Sequence, residues 1–386
     1  MRLFGWRARI FTAAMASAGS LLMIPGAPAH AATAGTVIDT TAHPDGWRGM
    51  SNGSSVDYWT TRSNGEPVQA SGALIIPPGP APANGWPIMA YDHGTSGLGS
   101  GCGGQSDVSR FSRPKEDAIL QYFVNKGFAV VAPDFLGLGK FDTGPHPYLE
   151  TRTEATATID LVRAAREAHP ELSKTWALTG FSQGGHAALG AANLQASYAP
   201  ELDFRGTIAS DPASDVEKFV PLAGPYVPEI PGQNGNAIDG FVVSMLAGLR
   251  ATHPELDLNS YLTPRGQDVL DRAGSLCFND IMKVVDGTSV GDLLARPLGD
   301  DRFRAAINEY MTLPTAGYNA PTLLLINVTD MVVPSPLHAA LIAQLAANGQ
   351  DFGVVTGTGG HTELNPAMWS AIDAFTARVL ATPTRS

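Results

Sequence analysis

The chain has 386 residues, of which 44% are hydrophobic and 16% are charged, and its formal net charge at pH 7 is −11. These proportions are typical of a globular protein and exclude a disordered one. The acidic balance also excludes nucleic acid and anionic membrane surfaces as partners, because both carry negative charge.

The N-terminal stretch differs in composition from the rest of the chain. Arg2, Arg7 and Arg9 are followed by an apolar, uncharged run over 10–24 and then by Ala29-His30-Ala31. This order is typical of a secretory signal peptide, so we predict one over 1–31 and a secreted mature protein. A membrane anchor needs about 20 apolar residues, and this run is shorter.

Strand-like and helix-like patterns alternate over 32–214. Two strand patterns flank Asn64-Gly65, a dipeptide typical of a β-hairpin turn. Continuous apolar runs predict buried strands, and amphipathic runs predict helices. The predicted strands cover 56–62, 68–76, 87–91, 128–133, 176–179 and 206–210, and the predicted helices cover 115–126, 151–169 and 184–199. Such alternation predicts a mostly parallel sheet with helices on both faces.

Strand patterns stop over 215–315 and return afterwards. Apolar residues recur at helical spacing over 238–249, and shorter helical patterns follow. Beyond this segment, strands are predicted over 321–328 and 352–355, and helices over 337–347 and 368–380. We therefore predict an α/β fold in which a helical cap, 215–315, is inserted after strand 6 between two core segments, 32–214 and 316–386.

The segment Gly180-Phe181-Ser182-Gln183-Gly184 lies between a predicted strand and a predicted helix. So tight a turn forces its central residue into a strained conformation, and glycines on both sides remove steric clashes. This G-x-S-x-G arrangement is typical of a nucleophile elbow, in which the serine hydroxyl projects from the sheet edge. Ser182 is therefore the candidate nucleophile.

A serine nucleophile needs a base and an orienting acid, and in elbow enzymes the chain order is serine, acid, histidine. His361 lies in a glycine-rich turn after the last predicted strand, so it is the candidate base. His338 falls within a predicted helix, where a structural role is expected. His186 lies one helical turn beyond Ser182 and is expected to point away from the hydroxyl and to pack.

Asp330 is the candidate acid because it follows the predicted strand over 321–328, and catalytic groups gather at the carboxyl ends of parallel strands. Asp211 and Asp215 are rivals after the preceding strand. Asp211 precedes a proline, which favours a turn-capping role. Asp134 also ends a strand but precedes the serine in the chain.

An acyl-transfer intermediate needs two backbone N–H donors around its oxyanion. Gln183, the residue after the nucleophile, is expected to supply one. The loop after the strand at 87–91 is expected to supply the other from Gly94 or Thr95. Asp92 is expected to form hydrogen bonds within that loop.

The chain contains two cysteines, Cys102 and Cys277. In an exported protein, two cysteines most simply form one disulfide, and two buried free thiols are the alternative. No histidine cluster accompanies them, so they do not predict a zinc site. We expect neither a metal nor another cofactor.

Several of these segments are also similar to a known family. The similar segments are Tyr91-Asp92-His93-Gly94-Thr95, Asp134-Phe135-Leu136-Gly137-Leu138-Gly139, 180–185 with His186, Val328-Thr329-Asp330, and Gly360-His361. In these the chain resembles the secretory lipase family, which includes the fungal lipase A enzymes of the α/β-hydrolase superfamily. The fungal enzymes carry more cysteines and a longer C-terminal flap, so the resemblance leaves lipase and esterase activity as alternatives.

The resemblance implies an α/β-hydrolase fold and hydrolysis of carboxylic esters by Ser182, Asp330 and His361. It also implies a hydrophobic ester or lipid substrate, with contact at a lipid interface but no stable insertion into a membrane. The cap residues Phe241, Met245 and Leu246 then either line an acyl tunnel or pack the cap onto the core. A peptidase or acyltransferase using the same triad is the alternative enzyme class, whereas a binding module is expected to have lost a triad member.

Overall fold

The structure, a computed structural model, describes residues 32–43, 46–107, 113–230 and 232–381. The signal peptide predicted over 1–31 lies outside these residues. No helix within them combines the length and the apolar character that crossing a membrane requires.

In the described part of the chain, nine strands form one sheet. The strands are β1 (Val37–His43), β2 (Gly53–Thr61), β3 (Pro67–Ile75), β4 (Trp86–Asp92), β5 (Ala129–Pro133), β6 (Leu172–Phe181), β7 (Asp203–Ser210), β8 (Thr322–Asn327) and β9 (Phe352–Gly357). Their order across the sheet is β1-β2-β3-β5-β4-β6-β7-β8-β9.

Strand direction divides the sheet into two parts. Strands β1, β2 and β3 pair antiparallel with their neighbours, and β3 is also antiparallel to β5. From β5 to β9 every pairing is parallel. The predicted mostly parallel sheet is therefore confirmed. Because β1 was not predicted, the insertion placed after strand 6 follows β7 in the structure.

The described helices cover both faces of the sheet and fill the segment between β7 and β8. They are α1 (Pro114–Asn125), α2 (Thr151–Ala168), α3 (Gln183–Tyr198), α4 (Gln233–Thr252), α5 (Pro264–Ala273), α6 (Phe278–Val284), α7 (Val290–Leu293), α8 (Asp301–Met311), α9 (Ser335–Ala347) and α10 (Pro366–Ala381). Short 3₁₀ helices lie at Val216–Lys218, Val220–Leu222, Pro254–Leu256 and Leu258–Tyr261.

Successive side chains of a strand point to opposite faces, so each buried strand contributes to two cores. In β4, Ile88 packs in a cluster with residues of α2 and α3. Its neighbour Met89 packs in a second cluster with residues of α1 and α10. This two-sided burial explains why the central strands read as continuous apolar runs.

The helices between β7 and β8 build an apolar core of their own. Leu246, Leu270 and Phe303 belong to it and are fully buried. The same cluster includes Leu98 and Leu337 from outside the segment, so its packing continues into the loop after β4 and into α9. The domain boundaries at 214/215 and 315/316 stay a prediction.

Candidate active site

The turn between β6 and α3 consists of Ser182 alone. Its φ of 57° and ψ of −120° lie in a region that non-glycine residues rarely adopt. A Cβ on Gly180 would lie 1.9 Å from the carbonyl oxygen of Gly184, and one on Gly184 would lie 1.9 Å from that of Asp92. Only glycine fits at either position, so the local sequence and the strained serine form one unit.

Backbone hydrogen bonds hold Ser182 in this conformation. Its N–H donates to the carbonyl of Ser210 at the end of β7, at 2.9 Å. Its own carbonyl accepts the N–H groups of His186 and Ala213. The strain is thus maintained by elements on both sides of the turn, which leaves the side chain at the carboxyl edge of the sheet.

Asp330 and His361 follow β8 and β9 and form a hydrogen bond across the sheet edge. The distance from His361 Nδ1 to Asp330 Oδ2 is 2.6 Å. The other carboxylate oxygen, Oδ1, accepts the N–H groups of Val332 and Val333, at 2.7 and 3.2 Å. Because the carboxylate accepts, His361 Nδ1 carries the proton and Nε2 is left with its lone pair.

Electrostatics keep the Asp330 carboxyl ionised. Burial raises its pKa, but the imidazoles of His338 and His361 outweigh that effect and hold the pKa below the usual range for aspartate. An ionised carboxylate fixes the tautomer and the ring orientation of the histidine that it contacts.

Ser182 and His361 line the same cavity of about 810 Å³. His361 Nε2 is buried and has no hydrogen-bond partner among the described residues. No hydrogen bond joins it to Ser182 Oγ in that part of the chain. Such bonds are often loose in unliganded sites, so this geometry is compatible with proton transfer between the two groups.

Two of the three expected oxyanion donors, Gly94 and Thr95, also border this cavity. A Cβ on Gly94 would lie 3.9 Å from the Ser182 Cβ, and both Gly94 and Thr95 line the cavity. No hydrogen bond of the described residues uses the backbone N–H of Gly94, Thr95 or Gln183. These three N–H groups are therefore available to a bound oxyanion.

Among the described residues, the Asp92 side chain does not form the hydrogen bonds within that loop that the sequence predicted. Its Oδ1 accepts the hydroxyl of Thr158, on α2, at 2.7 Å. Burial raises the pKa of Asp92 well above its usual value. The side chain thus joins β4 to α2 beneath the loop instead of bonding within it.

The two rival acids have other partners. Asp211, whose φ is 40°, accepts the N–H and side-chain amide of Asn327 and the N–H of Thr362. It therefore caps turns, as its sequence context indicated, and one of them is the turn that carries His361. Asp215 accepts hydrogen bonds from Gln344 and pairs with Lys218.

His338 has a closer relation to the site than the sequence suggested. It is fully buried on α9, with Nε2 3.6 Å from Asp330 Oδ2 and 3.9 Å from Asp211 Oδ1. Asp211, Asp330 and His338 are the described cluster whose spacing suits a metal ion. Both carboxylates already accept backbone N–H groups, so the cluster needs no ion to satisfy them.

A disulfide joins Cys102, in the loop after β4, to Cys277, at the start of α6. Backbone bonds reinforce it on either side, from Leu98 N–H to Leu276 and from Phe278 N–H to Ser96. The disulfide alternative is therefore confirmed, and the loop that holds Gly94 and Thr95 is tied to the inserted helices.

A second cavity, of about 470 Å³, meets the first at Ser182. Its wall is almost wholly apolar and includes Phe241 and Met245 of α4. Leu246, the next residue, is fully buried in the core between the helices and does not line this cavity. The predicted apolar stripe of α4 thus serves both packing and cavity lining.

Comparisons with known proteins identify the family and the fold. The family model for secretory lipases matches residues 104–336. A lipase A from Moesziomyces aphidis is 27% identical over 252 residues, 61% of this chain and 50% of that protein. A probable inactive lipase from Mycobacterium tuberculosis is 24% identical over 253 residues, 63% of this chain and 53% of that protein. The chain thus spans about half the length of each relative.

The fold also matches a solved structure. Candida antarctica lipase A in its closed state superposes with a TM-score of 0.71 at 20% identity, covering 92% of this chain and 84% of that one. At this level of identity the similarity establishes the fold alone, which is that of the α/β hydrolases.

Proposed function

Since the chain belongs to the secretory lipase family, we propose that it hydrolyses carboxylic esters with Ser182 as nucleophile, His361 as base and Asp330 as orienting acid. One observation carries the proposal. Asp330 holds His361 by Nδ1, while the lone pair of Nε2 is unpartnered in the cavity that the strained Ser182 also lines.

The reaction proceeds through an acyl-enzyme. His361 Nε2 removes the proton of Ser182 Oγ, which attacks the ester carbonyl carbon. The N–H of Gln183 and that of Gly94 or Thr95 stabilise the resulting oxyanion. The imidazolium of His361 then protonates the leaving alcohol. In the second half, His361 removes a proton from water, which attacks the acyl carbon, and the proton returns to Ser182 Oγ as the acid is released.

The two cavities suit the two halves of an ester. The leaving alcohol must lie beside His361, because that histidine protonates it, and His361 lines only the larger cavity. The acyl chain then extends from Ser182 into the apolar cavity, along Phe241 and Met245. Such a cavity favours an apolar acyl group, since each buried methylene contributes about 0.8 kcal/mol.

The mouth of the apolar cavity suggests a lipid interface as the place of contact. Phe219, Ile238 and Met331 line the cavity and are nonetheless exposed, Met331 by 80%. Exposed apolar side chains that surround a binding site are typical of surfaces that meet an apolar partner. We therefore propose that the substrate is a lipid or another hydrophobic ester and that the protein acts outside the cell.

Replacement of the nucleophile tests the proposal. Ser182→Ala should reduce hydrolysis of p-nitrophenyl esters by up to about 10⁶-fold, because the acyl-enzyme can no longer form. A fluorophosphonate probe should label the wild-type protein and fail to label this variant. Ser96 lines the same cavity and is buried, so Ser96→Ala is the matched control and should still be labelled.

Two results would contradict the proposal. One is labelling of another serine while Ser182 stays unmodified. The other is a folded wild-type protein with no activity on any ester from acetate to dodecanoate. Turnover of amide substrates at a rate above that of the esters would favour the peptidase alternative instead.

A further inference from the structure

A buried polar cluster surrounds the side chain of Gln183 and takes no part in the mechanism proposed above. It consists of Gln183, His146, Glu154 and His186, and all four are fully buried. Burying a polar group without a hydrogen-bond partner is costly. Each contact in the cluster therefore indicates which atom donates and which accepts.

The carboxamide of Gln183 uses both of its protons. Its Nε2 donates to Glu154 Oε1 at 2.7 Å and to His146 Nε2 at 2.7 Å. His146 accepts because its Nδ1 donates to the carbonyl of Leu136 at 2.8 Å. Burial lowers the pKa of His146 to about 4, so the ring is neutral at neutral pH. If the Gln183 amide were reversed, its oxygen would face the Glu154 carboxylate, so this contact determines the orientation of the amide.

His186 contacts the other oxygen of the Glu154 carboxyl. Its Nε2 lies 2.9 Å from the carbonyl of Met311, at the end of α8, and a carbonyl can only accept, so Nε2 donates. Nδ1 of the same ring lies 3.2 Å from Glu154 Oε2. Oε1 of this carboxyl accepts Gln183 and the N–H of Leu149. Both oxygens of Glu154 therefore have partners.

Two sets of hydrogen bonds constrain the peptide unit that carries the Gln183 N–H. This residue begins α3 immediately after the strained Ser182, and its N–H forms no hydrogen bond with the described residues. The first N–H groups of a helix have no partner within the helix. The carbonyl of this peptide unit, that of Ser182, accepts the N–H groups of His186 and Ala213. On the other side, the Gln183 side chain is anchored to His146 and Glu154, which adds a second constraint on the direction of the N–H.

We propose that Glu154 is a positioning residue: braced by His186, it holds the Gln183 carboxamide and so aims the Gln183 N–H at the oxyanion. This proposal rests on the proposed function for its catalytic consequence. The anchoring of the Gln183 carboxamide by Glu154 does not depend on it.

Variants at Glu154 separate positioning from folding. Loss of one oxyanion donor lowers kcat by about 10²–10³-fold. Glu154→Ala should misalign this donor and lower kcat by about 10–100-fold per titrated active site, with KM within about 2-fold. In Glu154→Gln the amide oxygen still accepts from Gln183 and its NH₂ donates to His186 Nδ1, so kcat should return to within about 5-fold of wild type.

Gln183→Ala provides a second variant if Glu154→Ala does not fold. It removes the anchor, keeps the backbone N–H and leaves the Glu154–His186 pair intact. The same fall in kcat at constant KM is expected. An unchanged kcat per active site in either alanine variant overturns the positioning role, as does a loss confined to KM.

Nitrogen-15 NMR of the side-chain amides tests the anchor without any ester. In the Ser182→Ala protein, adding Glu154→Ala should shift the Gln183 side-chain NH₂ signals and speed their exchange with solvent, whereas adding Glu154→Gln should leave them close to their original values. Unchanged signals in the Glu154→Ala protein would overturn the anchor. If the NMR result holds while the wild type hydrolyses no ester, the proposed function fails and the anchor stands.

Discussion

The cavity beside Ser182 predicts a chain-length preference that depends on Met245. Octanoate has four more methylenes than butyrate, and at about 0.8 kcal/mol each these add up to about 3 kcal/mol of transition-state binding. That energy corresponds to a ceiling of about 200-fold in kcat/KM. Met245→Ala removes part of the cavity wall that the chain would contact. We expect the octanoate-to-butyrate ratio of kcat/KM to fall by about 4- to 15-fold, which corresponds to the binding energy of one or two methylenes.

The adjacent Leu246 supplies the control for this prediction. Both side chains are buried on α4, but only Met245 lines the cavity. Each substitution by alanine should lower the free energy of unfolding by about 2–5 kcal/mol, because each leaves a void. Only Met245→Ala should change the ratio, measured as kcat/KM on p-nitrophenyl esters from acetate to octanoate. An equal change in Leu246→Ala, or an unaltered ratio in Met245→Ala, would refute the assignment of this cavity to the acyl chain.

Three further predictions concern the disulfide, helix α4 and the proposed triad. Because Cys102 and Cys277 are 175 residues apart, replacing both by serine should lower the free energy of unfolding by up to about 5 kcal/mol in denaturant titrations; an unchanged midpoint would show that the bond adds nothing. Burial raises the pKa of Asp239 to about 6, so the stability that its protonated form contributes is lost as pH rises through 6. Asp239→Asn should therefore be more stable than wild type by about 1–3 kcal/mol at pH 8 and equal to it at pH 3.5, as thermal unfolding at the two pH values can check. Asp330→Asn should lower kcat by about 10⁴-fold with little change in KM, because His361 loses the carboxylate that sets its tautomer; a loss of less than 10-fold in steady-state kinetics would remove Asp330 from the triad.

The local sequence predicted the parts of the molecule that short-range physics controls. Glycines around Ser182 predicted the elbow, because any Cβ at Gly180 or Gly184 would collide with backbone. Continuous apolar runs predicted the central strands, since their two faces are both buried. Strand β1 was missed for the complementary reason. It is an edge strand, and most of its side chains are exposed. Backbone pairing with β2 holds it in the sheet, and backbone pairing leaves no apolar pattern in the sequence.

Only the tertiary structure decided which distant side chains contact each other and which line a cavity. Met245 and Leu246 are neighbours on one apolar stripe, and their different surroundings come from what packs against each of them. Asp211 caps the turn at Thr362, 151 residues away, and Glu154 contacts His186 across two helices. Hydrogen-bond partners so far apart leave no periodic signal, because only the packed arrangement of helices and strands brings them together.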